Sequence, residues 1–490
     1  MRARRLRGLS GRLLRRRRRR AAADAPGVLG LHFGSLAKYR PFSIVLPGFE
    51  QVDQPAAGAT AGLHRSGISP SAPFAAIEAE VTDLTDRFAF GLAGDATDPA
   101  AAQLLAVYDA HRGRLQLHLQ CDGDTHTVAD EPVQLSAPCR LAFVLCENQV
   151  TVLAEDGAGQ WSALLTERDR VGELIDLRDP ATLHGLSYAW GAPVDAAPAQ
   201  LGQVRAGPFG YTGLRDLHLV QHDDGRPYVR DGQAYLTATC AGMGFFHAAH
   251  WGVFTLDLAD STSLRQVAQL YSRRDGLLLG DHAGQIVVDD SSGRCLVGVS
   301  AWGDFGSPGS QVHVRQAITT LDVLSGVHVL DTESMALPTD VDAWDPAITR
   351  IDGRWHVAFV ESNPSQGDPF DFHPALAVGP EGGEPFADLE LVGADADLEQ
   401  CEGPILQRVG DDWSLLASDG RHRAYLAYDL AMQRREGSLD APYGSNIPHP
   451  QLVPLSDGGW WLVTFDGDQF AEKQLGYGTH GDVVVMRAEP

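Results

Sequence analysis

From about residue 222 onward the chain repeats itself, and that repeat limits the folds open to it. Segments of similar layout begin near Asp224, Asp281, Asp345, Glu402 and His449, at intervals of 57, 64, 57 and 47 residues. Each opens a short apolar run, turns at Asp-Gly or a similar pair, and returns as a second run. The return runs are Ala234 to Thr239, Cys295 to Ser300, Trp355 to Val360, Trp413 to Ala417 and Trp460 to Phe465. Helical periodicity is nearly absent, so these runs read as strands. Such a unit cannot bury its apolar face alone. Five in tandem predict a ring of sheets, a five-bladed β-propeller over residues 222–490. Leading strands line the axis of such a ring, so residues at their starts converge on one face.

Between residues 42 and 221 the pattern is different. Short alternating segments stand between polar turns: Phe42 to Leu46, Ala75 to Leu84, Phe88 to Leu92, Leu104 to Tyr108, Leu115 to Leu119, Leu141 to Cys146, Val150 to Leu153 and Leu217 to Val220. Eight or more such strands fit two packed sheets. The passage Arg205-Ala206-Gly207-Pro208-Phe209-Gly210 resembles the closing edge of a concanavalin-like, laminin-G-type sandwich. The expected fold is therefore all-β: a β-sandwich over 42–221, then the propeller, with a basic tail and linker over 1–41.

Charge narrows the range of partners. The first twenty residues carry eleven Arg and no acid, which leaves 28 basic against 64 acidic side chains, a net −36, on the remainder. A body that acidic suits neither nucleic acid nor an anionic membrane, whereas a neutral substrate is compatible with it. Met1 to Arg20 holds no apolar run long enough for a signal peptide or a membrane helix. It reads as a disordered tail, or as a start placed upstream of the true one. Localisation is left open: cytoplasmic by default, secreted if the true start lies elsewhere. Cys121, Cys139, Cys146, Cys240, Cys295 and Cys401 show no Cys-x-x-Cys pairing. That argues against a zinc site or a dense disulfide framework, and suits a reducing compartment.

Three acids precede strands at comparable places: Asp224-Gly225, Asp345-Pro346 and Glu402-Gly403-Pro404. Their order and spacing resemble glycoside hydrolase family 43 and its five-bladed relatives in families 32, 62 and 68, over residues 222–490. The resemblance implies an inverting glycosidase acting on a neutral glycan of the arabinofuranoside or xyloside type. It assigns Glu402 as general acid, Asp224 as general base, and Asp345 as the group that positions Glu402 and raises its pKa. Inversion needs one acid and one base far enough apart to admit sugar and water. Asp224 departs from the family pattern, with Gly225 in place of Pro. Arg215-Asp216-Leu217-His218 also resembles the first-blade signature, but the spacing of Asp224 to Asp231-Gly232 matches that of Asp345 to Asp352-Gly353. Asp224 is therefore the expected base, with Asp216 and Asp281 as the other candidates. The reading requires residues 224, 345 and 402 to face one cavity. Asp before a strand also serves as a simple turn cap, which leaves a carbohydrate- or protein-binding propeller without chemistry as the alternative. A retaining fructan-type glycosidase or transglycosidase is another.

The same resemblance places His449 at the axis and implies sugar-stacking roles for Phe246, Trp251, Trp302 and Trp344, against which stands ordinary packing between blades. No cofactor or metal ligand set is read from the sequence. Family members carry calcium in the axial channel, yet no Asp-rich calcium loop is visible. His480 near the chain's end, and His247 and His250, are weaker candidates.

Overall fold

A computed structural model describes residues 27–60, 62–362, 371–467 and 481–489, backbone only at 54–60. The basic segment 1–20 and His480 lie outside the described residues. The architecture is essentially all-β, in several discrete sheets. No helix among the described residues is long and apolar enough to cross a membrane. All six cysteines are free thiols.

Two sheets face each other in the N-terminal part. One has seven strands, in the order Trp161–Glu167, Gln149–Glu155, Cys139–Cys146, Phe74–Asp83, Ala199–Tyr211, Ser43–Val45, with Val52–Thr60 also paired to Ala199–Tyr211. The other has six: Leu63–Arg65, Ser187–Gly191, Arg87–Ala93, Gln103–Asp109, Arg114–Cys121, Asp124–Pro132. Strand Arg114–Cys121 buries every second residue, and Leu115, Leu117 and Leu119 meet Ile77, Phe143 and Tyr108 in a shared core. Each such leucine contributes roughly 2 kcal/mol by leaving water. The passage 205–210 lies within Ala199–Tyr211, an interior strand rather than a closing edge. The run Leu141 to Cys146 is apolar throughout because both its faces are covered. Val144 and Cys146 point away from the shared core, toward Met243, Ala248 and Tyr271 of the C-terminal part.

Five further sheets follow. Their leading strands are Leu214–Leu219, His282–Asp289, Ala343–Ile351, Cys401–Val409 and Gln451–Pro454. Each pairs antiparallel with the next long strand: Gln233–Cys240, Arg294–Ser300, Arg354–Ser362, Asp412–Asp419 and Trp460–Asp466. Successive sheets share apolar cores. Val253 and Leu270 pack on Ile286 and Val297, Leu296 on Ile348 and Val357, Ala358 and Leu376 on Leu406 and Leu415, and Ile405 and Leu416 on Leu452 and Leu462. Val453 and Val463 of the fifth sheet then meet Leu219 and Leu236 of the first. The series of cores therefore returns to its starting sheet; the region where the leading strands begin is the hub.

Two strands fall on other sides of the expected boundaries. Leu214–Leu219, expected to close the N-terminal pair of sheets, leads the first sheet of the ring. Gly34–Tyr39, expected as linker, pairs with Asp482–Ala488 as the outermost strand of the fifth sheet. It is short and largely exposed, so it carries no apolar alternation to read.

Candidate active site at the hub

Four leading strands break register at the same point. The shifts fall between Arg215 and His218, His282 and Gln285, Trp344 and Ala347, and Glu402 and Ile405. Each bulge contains one left-handed residue: Asp216 (φ 48°), Ala283 (52°), Asp345 (51°) and Gly403 (63°). Asp and Gly tolerate this backbone better than most residues. A bulge re-aims the side chains of its strand. Here four bulges set Arg215-Asp216, His282-Ala283, Trp344-Asp345 and Glu402-Gly403 at the hub, with His449 entering just before the fifth leading strand.

Asp216, Asp345 and Glu402 converge there. His449 Nε2 lies 3.8 Å from Asp216 Oδ1 and 3.5 Å from Asp345 Oδ2. Asp345 Oδ2 accepts the Gly403 N–H at 3.2 Å, and the Asp345 N–H donates to Ser300 Oγ at 2.9 Å. Trp344 Nε1 donates to Glu402 Oε2 at 3.3 Å. Arg215 Nε stands 4.0 Å from Asp216 Oδ1, with its guanidinium over the Phe465 ring, 4.9 Å from the centroid.

Burial, then the negative charge of Asp216, lifts Glu402 from the ordinary carboxylate range to about 7. Burial also raises Asp345 well above its usual range, helped by the nearby Glu402 and Asp216. Burial pushes His449 down to about 4 against the pull of Asp216, so its ring is neutral near pH 7. Its buried Nε2 has no hydrogen-bond partner among the described residues.

Asp224 is not in this group. Its side chain is 54% exposed in the turn after the first leading strand, and its carboxylate accepts from Arg226 Nε at 2.6 Å. The first-sheet acid at the hub is Asp216. Asp281 is also elsewhere: fully buried, it takes both arms of Arg274 at 2.8 Å. Trp251 is 2% exposed in the core between the first two ring sheets, so it cannot meet a ligand. His250 is likewise buried, with Nε2 2.9 Å from the Gly210 carbonyl. Phe246, Trp302 and Trp344 do gather beside the acids. Phe246 stacks on Trp302 at 4.7 Å between centroids, and Trp302 meets Trp344 edge-on at 5.7 Å. Arg215 and His282 escaped the sequence reading as site residues. What places them is the bulge, which the sequence does not mark.

Buried glutamines tie neighbouring sheets of the ring together. Gln221 Oε1 accepts from Gln285 Nε2 at 3.0 Å, Gln285 Oε1 accepts from the Ile348 N–H at 2.5 Å, and Gln451 Oε1 accepts from the Leu219 N–H at 3.0 Å. Among the described residues no group of three or more His, Cys, Asp or Glu side chains is arranged to hold a metal ion.

No protein-family model matches the chain, and no curated protein matches it in sequence. Among solved structures it is similar to an inulosucrase from Halalkalicoccus jeotgali bound to kestose, over 56% of this chain and 85% of that one, at 15% identity and a TM-score of 0.40. It is similar to an α-L-arabinofuranosidase from Lactobacillus brevis over 56% and 90%, at 13% identity and 0.39. A GH43_1 enzyme from Xanthomonas citri matches over 55% and 88%, at 14% identity and 0.37. The likeness spreads over several families and singles out none. It carries no argument about activity.

Proposed function

We propose that the five-sheet ring is a β-propeller of the glycoside hydrolase family 43 type and that its hub hydrolyses a glycosidic bond with inversion. The propeller comprises residues 214–489, completed by the strand at 34–39. Residues 43–211 form a β-sandwich packed on its first blade. The observation that carries this reading is the meeting of Asp216, Asp345 and Glu402 around His449 and the Gly403 N–H, where burial and the charge of Asp216 lift Glu402 to about 7.

Glu402 is the general acid. Its Oε2 is held by the Trp344 indole, which leaves Oε1 to deliver the proton. Asp216 is the general base. Water attacks the anomeric carbon from the face opposite the leaving group, and its proton passes to Asp216. The bond from that carbon to the glycosidic oxygen breaks, and the oxygen takes the proton of Glu402. Proton exchange with solvent resets both groups. Asp345 positions the pair: it grips the Gly403 N–H next to Glu402, and its crowding favours one protonated carboxyl. His449, neutral, faces Asp216 and Asp345 as a substrate or water contact. The substrate is a neutral glycan of the arabinofuranoside or xyloside type, in keeping with the acidic body. Phe246, Trp302 and Trp344 form an apolar wall for a sugar face.

A panel of aryl-glycosides with arabinan, xylan and fructan tests this, the anomeric proton of the first-formed product being followed by NMR. Inverted product from an arabinofuranoside or xyloside is expected. Retained configuration would reassign Asp216 as a nucleophile.

A further inference from the structure

The N-terminal sheets meet the ring beside the hub. The turn Glu147-Asn148 joins strands Cys139–Cys146 and Gln149–Glu155. Glu147 is 2% exposed and takes left-handed backbone at φ 55°. Its Oε1 accepts the N–H of Gly280 at 3.1 Å, two residues before His282. Neighbouring ties cross the same boundary. Gln149 Nε2 donates to the Met243 carbonyl, and the Leu278 N–H donates to the Arg178 carbonyl at 2.8 Å. From the ring side, Arg274 grips Asp281, and Asp281 Oδ1 accepts the Gly303 N–H at 3.0 Å. Gly280 itself is pressed against Phe74 and the Ala249 carbonyl, which leaves no room for a side chain.

A buried carboxyl is a costly anchor unless it has work to do. Burial pushes the Glu147 carboxyl well above its usual range against the pull of Arg178, whose Nη1 stands 4.0 Å from Oε2, and in either protonation state Oε1 can accept the Gly280 N–H. The segment it holds leads into His282, whose ring lies near parallel to Trp302, 6.2 Å between centroids.

We infer that Glu147 is a positioning residue: presented by the N-terminal sheets, it fixes the Gly280–His282 segment and thereby the hub wall formed by His282 and Trp302. The consequence for turnover rests on the proposed use of the hub; the positioning itself does not. Hydrogen–deuterium exchange on the full chain, comparing wild type with Glu147→Gln and Glu147→Asp, tests it. Gln keeps an acceptor at the same reach. Asp suits left-handed backbone better, so the variant folds, but it is one methylene too short to reach Gly280. Exchange over residues 280–283 should rise about tenfold in Glu147→Asp, as expected for one lost buried hydrogen bond. It should stay at the wild-type level in Glu147→Gln. If wild type turns over a glycoside, kcat/KM should fall with Asp and be retained with Gln. If it turns over none while the exchange pattern holds, the positioning stands and the reading of the hub fails. Unchanged exchange in Glu147→Asp, or a rise spread evenly over all five ring sheets, would overturn the inference.

Discussion

Glu402 and Gly403 are adjacent, and each meets a different demand of the hub. A side chain on Gly403 would run into the His449 ring, and its backbone is left-handed at φ 63°. Gly403→Ala therefore adds about 1–2 kcal/mol of backbone strain to about 1–3 kcal/mol of overpacking. Thermal unfolding should show a Tm several degrees lower. Glu402 binds its proton more tightly folded than at its ordinary value of 4.5. The stability linked to it is thus complete below about pH 4.5 and is lost as pH rises through about 7. That loss is of the order of 3 kcal/mol, and Glu402→Gln should flatten it in Tm measured from about pH 5 to 8. On the proposed role of Glu402 as general acid, the same proton predicts kcat/KM declining above about pH 7, where that group is ionised. Asp345 and Glu402 were legible in the sequence because Pro346 and Gly403-Pro404 mark their strand entries. Asp216 was not. An extra pair of turns, at Asp224-Gly225 and Asp231-Gly232, stands between the first leading strand and its partner Gln233–Cys240. The Asp-Gly signal therefore came one turn late and pointed to Asp224. Trp251 failed for another reason: an aromatic at a strand end looks the same in sequence whether it faces a pocket or a core.

The bulge is the element that builds the site. Four strands make it at one register, so four residue pairs reach the hub from chain positions more than fifty residues apart. The repeat of strands was readable from period-two alternation and Asp-Gly turns, but the bulge was not. It adds a residue without a compositional mark, apart from the Asp or Gly that tolerates its backbone in three of four copies. Ala283 is the exception. Its sheet has no acid at that position, and Asp281, two residues earlier, serves the fold instead. Its pair with Arg274 is buried on both sides. Asp281→Asn leaves that guanidinium with less of its counter-charge, and the cost should approach the 3–5 kcal/mol of breaking a buried pair. Denaturant titration should show this as a lower midpoint with an unchanged slope.

At the scale of the molecule, a strand from early in the chain joins the sheet formed by its last strands. Gly34–Tyr39 covers the edge of Asp482–Ala488, and Val28, Leu31 and Phe33 are buried in the core between the fourth and fifth ring sheets. Those three side chains contribute roughly 2 kcal/mol each. Deleting residues 1–40 should therefore lower Tm by ten degrees or more, or leave the chain insoluble. Sequence patterns gave two all-β parts but not this crossing, because strand pairing between distant segments leaves no local trace. The hub's chemistry is tested most directly by comparing turnover of Asp216→Asn, Glu402→Gln and Asp224→Asn with wild type on the best aryl-glycoside. The account predicts that the first two lose about 10²–10⁴-fold in kcat with unchanged unfolding at about pH 5, while Asp224→Asn stays within about twofold of wild type. Loss in Asp224→Asn with retained turnover in Asp216→Asn would contradict it.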